Sequence, residues 1–87
     1  MISLMIYGSP VAPFQKVYIM KDNQITDNFG VEFENLAEIV VDLCKKYQVN
    51  HIDLSGATLF MQGIEKQITE LMIATDYELN DIRFRYL

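Results

Sequence analysis

Cysteine is nearly absent from this chain: Cys44 stands alone, so no intrachain disulfide and no cysteine-based zinc site can form, and a reducing cytoplasm is the expected setting. Basic residues are also scarce, seven lysines and arginines against twelve acidic residues, for a net charge of −5. That balance gives no long-range attraction to phosphate backbones or anionic membranes, which argues against nucleic-acid binding. The acidic residues are scattered through both halves, so mimicry of a nucleic acid is not indicated either. No apolar run approaches membrane-spanning length, and no low-complexity tract or block of like charge interrupts the chain. The apolar start, Met1 to Tyr7, carries no basic leader and passes straight into Gly8-Ser9-Pro10, so it reads as a first strand.

What is present suffices for one folded unit. Eighty-seven residues, 51% of them apolar, make a single α/β domain over 1–87 and leave no room for a two-lobed nucleotide-binding machine. Ile2, Leu4 and Ile6 alternate with Ser3, Met5 and Tyr7, a pattern that suits a central strand covered on both faces. Gly8 to Gln15, with Pro10 and Pro13, predicts a stiff extended loop. Lys16 to Lys21 alternates again, and Asp22-Asn23 tolerates the positive φ of a tight hairpin turn before Gln24-Ile25-Thr26 resumes the strand.

The third strand is expected to close at Val31-Glu32-Phe33 and to lead into a helix capped by Asn35, with Glu38 reaching back. Leu36, Ile39, Val40, Leu43 and Tyr47 predict its buried stripe, bordered by Cys44. Burial there would raise the thiol's pKa, which points to a core residue and not a nucleophile. His51 to Leu54 reads as a buried strand closed by Ser55-Gly56, followed by a second helix from Thr58 to about Ala74 with Phe60, Ile64, Ile68, Leu71 and Met72 inward. The methionines, Met61 and Met72 among them, are expected to fill gaps in the core. Gly63, inside that helix, suggests a neighbouring backbone passing close by. Asp81 to Leu87 alternates Ile82, Phe84 and Tyr86 against Arg83 and Arg85, as an edge strand does.

The order βββαβαβ and right-handed crossovers give a mixed five-stranded sheet of order 3-2-1-4-5 with two main helices. This arrangement resembles the ribonuclease H-like fold, shared with halves of actin-like ATPases, over nearly the whole chain. Nucleases of that family hold two metal ions with a carboxylate on the first strand and another near the end of the fourth. Here Ile2 to Tyr7 holds no carboxylate, and Asp53 alone matches the fourth-strand position. The resemblance therefore implies a scaffold without the catalytic set, with no metal and no cofactor.

Candidate sites follow from the strand ends. Gly8, Ser9, Ser55 and Gly56, with Asp53 beside them, offer backbone amides at a strand-to-helix junction where an anion or nucleotide could sit. The simpler account is that Gly56 permits a tight turn and Ser55 or Thr58 caps the helix. His51 shares a face with Asp53, but one histidine and one carboxylate complete no metal shell. Neither Ser9 nor Ser55 has a motif-placed histidine to make it a nucleophile. Arg83, Arg85 and Tyr86 form a small basic and aromatic stripe, suited first to protecting the edge, then to self-association of a homodimer or contact with another protein, and last to nucleic acid. The expectation is a small non-enzymatic interaction or accessory protein that self-associates as a homodimer. Its rivals are a degenerate metal-dependent nuclease, in which Glu32, Glu34 or Asp81 joins Asp53, and an anion-binding module at the Ser55-Gly56 elbow.

Overall fold

The computed structural model describes residues 1–76 and 82–87. Its elements run β1 (Ile2–Gly8), β2 (Gln15–Lys21), β3 (Gln24–Val31), α1 (Phe33–Tyr47), β4 (His51–Gly56), α2 (Thr58–Ala74) and β5 (Arg83–Tyr86). The sheet has five strands in the order β3-β2-β1-β4-β5, as the element order predicts. β1 pairs antiparallel with β2 and parallel with β4, and β5 extends the sheet parallel to β4. Asp22 and Asn23 take φ of 53° and 66°, the positive values that a two-residue hairpin turn requires.

Register decides which side chains meet. Leu4 lies opposite Ile19 and Ile52, and Ile6 opposite Val17 and Leu54, so these residues make one fully apolar face. They join Leu36, Val40, Val41 and Cys44 of α1 and Met61, Ile64, Ile68 and Met72 of α2 in a single core cluster. Both helices thus cover the same face of the sheet. The alternate residues, Ser3 and Met5 half-buried and Tyr7 exposed, lie on the opposite face, which no described element covers. The expectation that β1 is covered on both sides is corrected here: β1 is central in the sheet but buried on one face, because two right-handed crossovers in the same direction put both helices on one side.

The helix details also differ from the sequence pattern. α1 starts at Phe33, two residues ahead of the expected Asn35 cap, with Glu32 as N-cap and no side-chain hydrogen bond there. Phe33 stacks against Phe60 of α2 with centroids 5.5 Å apart, and this contact between helices holds a first turn that the capping pattern does not reveal. The buried stripe of α1 is rotated toward Val41 and Cys44, while Tyr47 is exposed with Lys46 Nζ over its ring at 5.2 Å. α2 spans the expected residues, but its N-cap is Ala57, so neither Ser55 nor Thr58 caps it through a side chain. At Gly63 a Cβ would meet nothing within 4 Å, so close backbone packing does not explain that glycine.

Candidate functional site

The carboxyl ends of β1 and β4 lie side by side, where Gly8 is in register with Gly56 and Tyr7 with Ser55. This is where open α/β sheets bind ligands, so the fate of its polar groups is decisive. Gln15 continues the inward alternation of Val17 and Ile19 and is buried, 1% exposed. Its amide occupies the junction: Ser9 N–H donates to Gln15 Oε1 at 2.9 Å, and Gln15 Nε2 donates to the Ser9 carbonyl at 3.2 Å. A Cβ on Gly8 would stand 1.9 Å from Gln15 Oε1. The Ser9 amide is thus satisfied from within the chain. Gly56 has φ of +148°, and a Cβ there would meet the Gly8 carbonyl at 2.3 Å and Met61 Cε at 2.9 Å. Both glycines therefore serve the close approach of β1, β4 and the buried Gln15 side chain. Gln15 was legible only through its period-two position two residues before Val17.

Asp53 sits on the uncovered face, in register with Met5 on one side and Arg85 on the other. Its carboxylate is 17% exposed and has two partners. Arg85 Nε donates to Oδ1 at 2.9 Å and Nη2 to Oδ2 at 3.1 Å, a side-on fork that matches the planar carboxylate. His51 Nε2 donates to Oδ1 at 2.7 Å, since a carboxylate only accepts. The sequence pattern pairs His51 with Asp53 but leaves Asp53 without a further partner. The structure corrects this: the parallel register of Ile52 with Phe84 on the core face brings Asp53 opposite Arg85 on the other.

Arg83, Arg85 and Tyr86 all lie on β5, one edge of the sheet. Phe84 packs half-buried against the core, and Tyr86, on the same side, donates its hydroxyl to Glu65 Oε1 of α2 at 2.5 Å. Partial desolvation and the Glu65 carboxylate push the Tyr86 phenol up to about 12. Arg83 N–H donates to the Asn50 carbonyl and Leu87 N–H to the Leu54 carbonyl, each at 2.9 Å. Backbone groups alternate sides along a strand, so those of Phe84 and Tyr86 point away from β4 to the outer edge. The fork to Asp53 and the hydroxyl to Glu65 hold the strand from its two faces.

Among the described residues, no group of three or more histidine, cysteine or acidic side chains is placed to hold a metal ion. Glu32 and Glu34 interact with each other, and the hydrogen bond and like charge of Glu34 raise the Glu32 carboxyl above its usual range. Asp81, the remaining carboxylate considered beside Asp53, lies outside the described residues. Burial pushes the Cys44 thiol up to about 12, as its place in the core requires. A hollow of about 230 Å³ opens at the other end of β1, lined by Met1, Ser3, Asp22, Asn23 and His51. No described helix is long and apolar enough to cross a membrane. Compared with models of protein families, with curated proteins and with solved structures, the chain matches none.

Proposed function

We propose that this protein is a non-enzymatic interaction or accessory protein of the cytoplasm, built on a ribonuclease H-like scaffold, that works by engaging a protein at the outer edge of β5. The observation that carries this reading is the double commitment of Asp53. The residue that would begin a metal site instead fastens the edge strand through Arg85 and orients His51. Gln15 supports it in the same way, by taking the Ser9 amide that an anion would need. What β5 leaves available is a short length of backbone at Phe84 and Tyr86 that no described residue pairs, the element that strand addition uses.

The experiment has two parts. Incubation with single-stranded and duplex DNA and RNA in magnesium or manganese is expected to give no cleavage above that of an Asp53→Asn variant. Cleavage lost in that variant would establish the nuclease rival and overturn the proposal. Light scattering, run with the wild type and Arg83→Glu, separates a second copy from another protein at the edge: a dimer whose affinity the charge change shifts uses β5 for self-association.

A further inference from the structure

We infer that the partner fitted to the β5 edge is an extended segment of another protein, with carboxylates at alternate positions and apolar side chains between them. The inference rests on the interaction reading above and names the occupant of that edge. Phe84 and Tyr86 supply outward backbone donors and acceptors, and their side chains lie on the helix-covered side of the sheet. Arg83 and Arg85 stand on the opposite side, both exposed. An added strand alternates in the same way, so its residues opposite the arginines share one face and those beside Phe84 and Tyr86 share the other. Carboxylates on the first face and apolar side chains on the second complete both. Arg85 is 62% exposed and its fork retains N–H donors beyond the two that Asp53 takes, so it can accept a second carboxylate.

Charge also argues against a second copy. In a twofold antiparallel pairing, outward residues must face outward residues. Setting Phe84 opposite Phe84 places Arg83 of each copy against Arg85 of the other. Setting Phe84 opposite Tyr86 places Arg85 against Arg85. The register centred on Tyr86 sets Arg85 against Leu87 of the other copy, an apolar residue and not an opposite charge. Like charges directly opposite are destabilising, so the edge disfavours its own copy and favours the opposite sign. The other edge, β3, is less suited: a register shift between Ile19 and Met20 distorts its pairing with β2.

The test uses the full chain, labelled with ¹⁵N, and two soluble peptides, one alternating glutamate with valine and one alternating lysine with valine. The glutamate peptide is expected to shift the Phe84 and Tyr86 amides, slow their exchange, and bind at least about tenfold more tightly than the lysine peptide. Arg83→Glu, an exposed change whose fold is checked by the dispersion of the same spectrum, should abolish that preference. Equal binding of the two peptides, or no response at β5, overturns the inference. A wild-type dimer by light scattering, with the Phe84 and Tyr86 amides protected in it and released on dilution, would also overturn it, assigning the edge to a second copy while the interaction reading stands. Metal-dependent cleavage lost in Asp53→Asn would instead remove that reading itself.

Discussion

Arg85 holds Asp53 from across the sheet, Nε to Oδ1 at 2.9 Å and Nη2 to Oδ2 at 3.1 Å, and so binds the last strand to the one before it. The two residues are 32 positions apart. Because the arginine side is largely exposed, the fork is a moderate contributor, worth about 1–2 kcal/mol. Asp53→Asn is expected to lower the unfolding free energy by that amount in a urea titration. Arg85→Lys, which keeps the charge but loses the fork, should recover only part of it. Unchanged stability in Asp53→Asn would show that β5 is held without the clamp.

Gln15 is predicted to matter more than its polar character suggests. Gln15→Ala removes the partner of the half-buried Ser9 N–H and leaves a void beside Gly8, at a cost of about 2–3 kcal/mol. Gln15→Glu should also destabilise, since a carboxylate would face the Ser9 and Ala12 carbonyls that now accept from Nε2. Urea midpoints for both variants check this, and a change under about 0.5 kcal/mol in Gln15→Ala would contradict it.

Two glycines are expected to respond with opposite sign. Gly56→Ala puts a Cβ against the Gly8 carbonyl at a φ that side chains disfavour, and should cost about 1–3 kcal/mol. Gly63→Ala meets open space inside α2 and should stabilise by about 0.5–1 kcal/mol, the helix-propensity difference between the two residues. Thermal melts of the pair provide the comparison. A neutral Gly56→Ala would remove the close-approach account of the strand ends.

Stability should fall in alkali. The Cys44 thiol has an ordinary value of 9.0 and is pushed to about 12 by burial. The Tyr86 phenol rises from 10.0 to about 12, through desolvation and then Glu65. Both groups are neutral in the folded and unfolded chain at neutral pH, well below 9, so neither costs stability there. Between about pH 9 and pH 12 the unfolded chain loses these protons first, so stability declines as pH rises. Cys44 is fully buried and should dominate, whereas exposure of Tyr86 to water screens its share. Denaturant titrations from pH 7 to pH 11 check the slope, which should be shallower in Cys44→Ala.

The fold was legible because its apolar periods are clean. Leu4 and Ile6, Val17 and Ile19, and Ile52 and Leu54 each occupy one face of a strand, and the crossover rule then orders the strands. The number of covered faces was not legible from β1 alone, because Met5 is compatible with a buried or a half-open face. The start of α1 was missed because the Phe33–Phe60 contact lies between helices, while the Asn35–Glu38 spacing is local. The Asp53–Arg85 clamp carries a readable signal in retrospect: once Ile52 and Phe84 share the core face, their neighbours must meet on the other. Gln15 was hidden by its type, since a polar residue beside a proline loop reads as solvated until its alternation with Val17 and Ile19 is followed inward.

Amide hydrogen exchange on the dilute, isolated protein tests the central claim most directly, because it reports which side of β5 is open. The Arg83 and Leu87 amides, bonded to the Asn50 and Leu54 carbonyls, should be protected, while those of Phe84 and Tyr86 exchange rapidly. Protection of Phe84 and Tyr86 equal to that of Arg83 and Leu87, unchanged on further dilution, would show the edge already covered within the chain and contradict its role as a docking strand.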